Sequence, residues 1–300
     1  MIDHKDVAAW KAHLEQYGYV VLTSILDADG IEDGITLFES LGQVEVTDMG
    51  LTIGSRYAHS EFAWYSRTRP TVKKVFEELY DSDELVCSMD CASYHTPYGD
   101  QDTAYWLHLD YPMGQDNIPI KTYQASLNYL DISHPSSPGL RVVPRSHQWY
   151  DMLHQDYQVY GDKSADAGVH YQLSQPLMDL VVDQWQCVTQ VNAPAGSLTL
   201  WDSKLIHDGT PATDQEHASR ISMMLSYMPL AAASDDDLAE RRLIYQRGET
   251  TTHYPLFHIN TVHYGEGVDT NWVWQPDLMI ARYPDIRNLI PLPQKKRKSI

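Results

Sequence analysis

Three hundred residues suffice for one large domain or two small ones, with a full apolar core that needs no disulfide or metal staple. With 43% hydrophobic and 21% charged residues, 16 glycines and 16 prolines, the composition is that of an ordinary globular chain and excludes collagen-like, low-complexity and disordered classes. The 22 basic against 41 acidic residues leave a formal charge of -19, a field that repels phosphate backbones and anionic lipid, so neither nucleic acid nor membrane is expected as a partner.

The opening Met1-Ile2-Asp3-His4-Lys5-Asp6 lacks the apolar centre of a secretory signal, and no apolar run approaches the roughly 18 residues that span a bilayer; a soluble, cytoplasmic protein is expected. Val7, Trp10, Leu14 and Tyr17 fall near helical spacing over 5–17, and Tyr19-Val20-Val21-Leu22 is a short strand-like run after Gly18. Asp27 can cap a second helix running to Leu41, and Thr71, Val72, Val75, Phe76 and Leu79 mark a third after Pro70. Residues 1–80 therefore read as helical support.

From about 85 to 230 the period shortens. Strand-like runs at 85–94, 103–110, 121–131, 140–144, 186–191, 197–202 and 219–228 are separated by Pro, Gly, Asn and Asp. The fold class expected is mainly β with flanking helices, a jelly-roll, cupin-like double-stranded β-helix core in a single domain over 1–300. Residues 148–180, rich in Tyr, Gln, Asp and His, interrupt the rhythm as an insertion, either a lid or partner contact or a plain surface excursion. Residues 231–300, with the acidic Asp235-Asp236-Asp237 turn and the Trp272-Val273-Trp274 cluster, read as an extension packed on the core. The terminal Lys295-Lys296-Arg297-Lys298 reads as a solvated tail. Cys87, Cys91 and Cys187 are odd in number and lack paired CxxC spacing, as fits buried or incidental thiols in a reducing compartment.

Fourteen histidines are more than a core normally needs. His-x-Asp occurs at His4/Asp6, His108/Asp110 and His154/Asp156, where chance supplies roughly one such pair, so context has to choose among them. His4 lies at a terminus expected to fray and His154 in the polar insertion. His108 follows the strand-like Thr103-Ala104-Tyr105-Trp106-Leu107, and residues i and i+2 of a strand share a face, so His108 and Asp110 can address one ion. His207, at the end of the run from Gly196, can return beside them as a third donor. Two histidines and a carboxylate form the facial triad that suits iron(II) and leaves adjacent positions open. Downstream, Arg220 and Ser222 share a strand face, and a guanidinium beside a hydroxyl matches a carboxylate such as the distal group of 2-oxoglutarate. Alternation also brings Asn128, Tyr94 and His95 forward as residues of the mouth. His253, His258 and His263 recur at intervals that fit neither a helix face nor a strand face, against a second metal site there. His207 can also be a hydrogen-bonded strand-end histidine, and Arg220 half of a salt bridge with Asp202 or Asp208.

With these residues in view, the sequence resembles the phytanoyl-CoA dioxygenase-like iron(II)/2-oxoglutarate oxygenases, a group that includes ectoine-hydroxylase-like enzymes. The resemblance covers about residues 10–228. It runs through Tyr17-Gly18-Tyr19-Val20-Val21-Leu22 with Leu26-Asp27, Trp106-Leu107-His108-Leu109-Asp110, Leu130-Asp131, Pro138 to His147, the His207 segment and Arg220-Ile221-Ser222. It implies iron bound by His108, Asp110 and His207, 2-oxoglutarate held by Arg220 and Ser222, and dioxygen as the second cosubstrate. Arg145 stands where the family usually has glycine, either changing that turn or placing a cation near the pocket. Trp106 stands one residue further from the ligand histidine than the family's tryptophan. The retained Asp110 argues for oxygenation over halogenation.

The resemblance thus implies oxidation, by default hydroxylation, of an unactivated C–H bond in a small-molecule substrate, with release of succinate and carbon dioxide; desaturation or cyclisation would use the same ligands. A chain at -19 suits a small polar metabolite, such as an amino acid, an amine or a natural-product intermediate, better than a coenzyme A thioester. From another class, a jelly-roll binding protein that holds a metal without turnover also fits. A zinc hydrolase would carry HExxH-type spacing, which is absent from the sequence.

Overall fold

The computed structural model describes residues 1–47, 50–52, 54–95, 104–113, 118–161, 170–257 and 273–292; Thr103, His258, His263, Trp272 and the Lys295–Lys298 tail lie outside them. In chain order the strands are β1 (Ile2–Asp3), β2 (Tyr19–Thr23), β3 (Leu85–Cys87), β4 (Ala92–His95), β5 (His108–Leu109), β6 (Tyr123–Asn128) and β7 (Gly139–Val142), followed by β8 (Tyr171–Gln172), β9 (Thr189–Val191), β10 (Leu198–Asp202), β11 (His207–Thr210), β12 (Arg220–Leu225) and β13 (Tyr227–Pro229). The α-helices are α1 (Val7–Tyr17), α2 (Ala28–Glu39), α3 (Ser55–Ala58), α4 (Glu61–Arg67), α5 (Pro70–Tyr80), α6 (Tyr150–Tyr160), α7 (Gln175–Asp179), α8 (Asp235–Arg247), α9 (Pro276–Arg282) and α10 (Ile286–Leu289). A larger sheet runs β1-β2-β10-β6-β12-β4 and a smaller one β8-β5-β11-β7-β9, with β13 and β3 paired apart. This is the jelly-roll core with flanking helices, and every pairing but β1 with β2 is antiparallel.

The period of two along the larger sheet decides where the site lies. Ala125 and Leu127 of β6, Leu198 and Leu200 of β10, and Ile221, Met223 and Leu225 of β12 face the helices and join one apolar cluster with Trp10, Phe38, Phe62 and Phe76. Their alternates, Gln124, Ser126 and Asn128, Thr199 and Trp201, and Arg220 and Met224, face the space between the sheets. Polar side chains are thereby gathered on one buried face because the opposite face is taken by helices.

Helix ends follow their caps. Asp6 accepts from Ala9 N and Asp27 from Gly30 N, while α8 opens on a capping box in which Ser234 and Asp237 bond reciprocally. The acidic run 235–237 is thus the first turn of a helix, where carboxylates meet the positive end of the helix dipole. Gly34 lets α2 lie directly on Tyr129; a Cβ there would stand 1.8 Å from the ring. We expect Gly34→Ala to destabilise by about 1–3 kcal/mol in urea unfolding, because overpacking outweighs the gain of up to about 1 kcal/mol in helix propensity.

Several sequence expectations are corrected. The run 85–94 is two strands in different sheets, split where Asp90 O turns aside to accept from the buried Arg67 guanidinium. The run 219–228 likewise divides at Ser226. Of the described part of 103–110 only His108–Leu109 is strand, and residues 196–207 are not one run: β10 ends at Asp202 and His207 opens β11. The short helices α3 and α4 carry no clear period. The N-terminal residues do more than support the core, because β1 and β2 edge the larger sheet and His4 Nδ1 lies 3.1 Å from Thr23 O rather than fraying. Within 148–180, β8 pairs with β5, and Leu153, Tyr157, Tyr171 and Leu177 bury against Leu107, Leu109 and Ile206. This stretch borders the strand that carries His108. No described helix is long and apolar enough to cross a membrane. Cys87 and Cys91 are buried free thiols, and Cys187 is half-buried.

Candidate active site

His108 on β5 and His207 on β11 are direct partners across the smaller sheet, and Asp110 leaves β5 on the side of His108. Their donor atoms lie within 4.8 Å of one another, with His207 Nε2 at 3.2 Å and His108 Nε2 at 3.7 Å from the Asp110 carboxylate. The other nitrogen of each ring is committed to a carbonyl: His108 Nδ1 donates to Trp106 O at 3.2 Å and His207 Nδ1 to Leu205 O at 2.9 Å. That tautomer presents both Nε2 atoms to the same point, as a metal requires.

The electrostatics agree with a site made for a cation. Burial alone would raise the Asp110 carboxyl, yet His253, His108 and His207 around it hold it well below its ordinary value. Burial would lower His207, but its hydrogen bond to Asp110 lifts it above the usual imidazole value. Burial and the neighbouring His207 push His108 down to about 3.

Gln124 was missed in the sequence. Its Nε2 donates to Asp110 Oδ2 at 2.9 Å and orients the carboxylate. The signal was present in the polar alternation Gln124, Ser126, Asn128. We expect Gln124→Leu to weaken ferrous-ion binding about 10- to 100-fold, followed anaerobically by the fluorescence of the nearby tryptophans. Tyr254 and His253 come from a segment that carries no pattern. The Tyr254 hydroxyl donates to Asp110 O at 2.7 Å, and His253 Nδ1 lies 4.0 Å from Asp110 Oδ2, so His253 belongs beside this centre rather than to a histidine series.

Arg220 reaches the same cavity from the larger sheet. Its Nε donates to Ser222 Oγ at 3.0 Å and an Nη to Ser126 Oγ at 3.4 Å, and among the described residues no carboxylate pairs with it. The proposed rivals are otherwise engaged: Asp208 is held bidentately by Arg141 at 2.7 Å, and Asp202 accepts from Lys204 N. A buried guanidinium without a counter-ion is costly, and burial pushes Arg220 down to about 10. An anionic ligand would relieve that cost. Asn128 lines the cavity, with its amide nitrogen turned toward Ser197 and Thr199. His95 lines it too, but Tyr94, next along β4, packs on Phe38 at 4.9 Å between ring centres, on the helix side, as alternation requires.

Two departures from the expected motif are resolved by geometry. Arg145 keeps a glycine-like backbone at φ +73° and lays its guanidinium over the Tyr17 ring, so the turn is preserved and the cation points away from the cavity. Trp106, two residues from His108, shares its side of the backbone and stacks on its ring at 4.2 Å, with Nε1 donating to Gly209 O. His147 fixes its turn, its Nε2 3.1 Å from Glu15 O.

The cavity between the sheets measures about 130 Å³. Its wall includes Leu51, Trp106, Ile132, Leu140, Val191 and Met224, and Asp110 is the one carboxylate on it among the described residues. A second cluster, His134, Asp214 and His217, lies at the surface between two loops. There the ligand atoms also lie within 4.8 Å of one another, the two rings stack in parallel at 3.6 Å and His217 Nδ1 lies 2.9 Å from Asp214 Oδ1.

The jelly roll thus brings a His-Asp-His cluster and a buried arginine, without a carboxylate partner among the described residues, to one cavity. The family model of phytanoyl-CoA dioxygenase matches residues 14–220, and the chain belongs to that family. It is 26% identical over 204 residues to the Ava biosynthesis cluster protein O of Aspergillus versicolor, a match spanning 66% of this chain and 64% of that relative. Among solved structures, the epimerase SnoN in complex with Fe3+, alpha ketoglutarate and nogalamycin RO superposes with a TM-score of 0.55 at 15% identity, covering 88% of this chain and 98% of that one. EctD from S. alaskensis with 2-oxoglutarate and 5-hydroxyectoine gives 0.52 at 15% identity, over 76% and 78% of the two chains. At such identities the likeness is one of fold.

Proposed function

We propose that His108, Asp110 and His207 hold ferrous iron, that Arg220 and Ser222 hold the distal carboxylate of 2-oxoglutarate with Asn128 in the adjoining wall, and that the chain hydroxylates a C–H bond of a small natural-product intermediate. The observation that carries this reading is the convergence of three metal donors in fixed tautomers on a cavity that also contains a buried arginine lacking a carboxylate partner. The donor set, two neutral imidazoles and one carboxylate, suits iron(II). When bound, the metal with 2-oxoglutarate and dioxygen supplies an oxidant able to take hydrogen from an unactivated carbon.

The chain's own share is placement. Gln124 and Tyr254 fix Asp110, Trp106 fixes the plane of the His108 ring, and Arg220 sets how the keto acid enters. The apolar wall excludes water from the reacting carbon. Of the substrates the sequence admits, this wall favours a neutral intermediate over an amine, because the described lining offers an ammonium group no carboxylate except Asp110.

The test is an anaerobic titration of the iron(II) protein with 2-oxoglutarate, followed by the weak visible charge-transfer band of a chelated keto acid. We expect the band in the wild type and a 2-oxoglutarate dissociation constant raised at least about 10-fold in Arg220→Ala. An unchanged constant in that variant removes Arg220 from the site. Aerobic release of labelled carbon dioxide from 2-oxoglutarate then separates an oxygenase from a metal-holding binding protein. Incorporation of labelled dioxygen into product separates hydroxylation from epimerisation or ring closure.

A further inference from the structure

A second set of metal donors shares no residue with the candidate centre. One loop joins β6 to β7 and another joins β11 to β12. Because β11 pairs with β7 and β12 with β6, both loops close the same end of the two sheets. Thr213 N donates to Ser136 O at 2.9 Å and ties one loop to the other. That arrangement sets His134, from the first loop, against Asp214 and His217, from the second.

The ligand atoms of these three residues lie within 4.8 Å of one another, the same closeness as in His108, Asp110 and His207. Two atoms bound to one ion at about 2.0–2.1 Å stand about 2.8–3.4 Å apart, depending on the angle between the bonds. His217 Nδ1 is 2.9 Å from Asp214 Oδ1 and 3.2 Å from Oδ2, and the two imidazole rings are 3.6 Å apart at their centres. The rings stack within 10° of parallel, so they have to turn, without travelling far, for both in-plane lone pairs to meet one ion. There is room for that, since His134 is exposed and His217 half-buried.

The charge comes from Asp214. The His217 backbone N–H, which donates to Oδ1 at 2.9 Å, the Ser136 hydroxyl and the His217 ring hold its carboxyl down to about 2, so it is an anion at neutral pH. Ser136 N donates to His134 Nδ1 at 3.2 Å, a long bond at the surface that an ion at that nitrogen would replace. Two imidazoles with one carboxylate suit a zinc-class ion and not magnesium or calcium, which prefer oxygen donors throughout.

We propose that His134, Asp214 and His217 form a second metal site, for a divalent ion of the zinc class, that clamps the two loops together. The clamp would steady the cavity end to which Ile132, Gly139 and Arg220 contribute. It does not depend on how the candidate centre is read.

The experiment is equilibrium dialysis of the full chain against zinc(II) alone, which a His-Asp-His centre also accepts. We expect two tightly held ions on the wild type and one on His207→Ala. The single variants His134→Ala and His217→Ala should also hold one, with the constant of the other ion raised at least on the order of 100-fold. On the His207→Ala chain, zinc at about 100 times its dissociation constant should multiply the folded-to-unfolded ratio roughly 100-fold in urea unfolding, and adding His217→Ala should remove that gain. Both loop substitutions lie at the surface, so the fold should tolerate them. Equal zinc uptake by the wild type and both loop variants overturns the inference and assigns the uptake to the acidic surface. If the loop variants lose one ion while His207→Ala loses none, the inference stands and the reading of the candidate centre falls.

Discussion

His207→Ala is expected to abolish turnover and to remove the 2-oxoglutarate charge-transfer band while the β-rich circular dichroism persists. Residues that merely orient a ligand are worth about 10- to 100-fold in metal affinity, so loss of a ligand itself should cost at least on the order of 100-fold. The fold should survive because His207 contributes to β11 through its backbone pairing with Val142 and His108, which alanine retains. Anaerobic ferrous-ion titration beside thermal unfolding separates the two effects. Full iron affinity in the folded variant would remove His207 from the centre.

The second large effect lies one residue further on. Asp208 is fully buried and is gripped by Arg141 through two hydrogen bonds of 2.7 Å, and it also accepts from Trp106 N. Arg141→Leu would strand a buried carboxylate, a change worth about 3–5 kcal/mol. Replacing both partners by leucine should restore much of that, because the cost lies in the unpaired charge more than in the lost pair. Burial already raises the Asp208 carboxyl in spite of Arg141, and without the guanidinium it would rise further. A carboxyl raised in the folded state contributes stability that is present below its unfolded value and lost as pH climbs through the folded one. The Arg141→Leu deficit should therefore shrink as pH is lowered toward 3.8, the ordinary carboxyl value. Urea unfolding of the three variants across pH checks this, and a loss that does not change with pH would mean that packing, not charge, dominates. Because Asp208 also holds Trp106 against His108, Arg141→Leu should loosen iron binding as well.

Helices α1, α2 and α5 were legible because each carries apolar residues near helical spacing, with Asp27 and Pro70 marking the starts of the last two. The short α3 and α4 have no such period, and β8 is two residues inside a polar stretch. The three residues of the candidate centre were legible for a local reason and a distant one: His108 and Asp110 lie two residues apart, and His207 stands at a turn between apolar runs. Gln124 could have been found by alternation. His253 and Tyr254 could not, since nothing near them along the chain indicates that residues 250–257 dock beside Asp110.

Local order in the chain settles which side of each element is apolar, because a strand alternates every residue and a helix every three or four, and burial of the apolar side follows from the cost of leaving it in water. That was enough to place Arg220 and Ser222 on one strand face and to bring Asn128 forward as a residue of the mouth. Which faces meet is a different matter. The pairing of His207 with His108, of Arg220 with His95 and of Asp208 with Arg141 joins residues far apart along the chain, and each depends on the packing of two whole sheets and their helices rather than on any spacing within a segment.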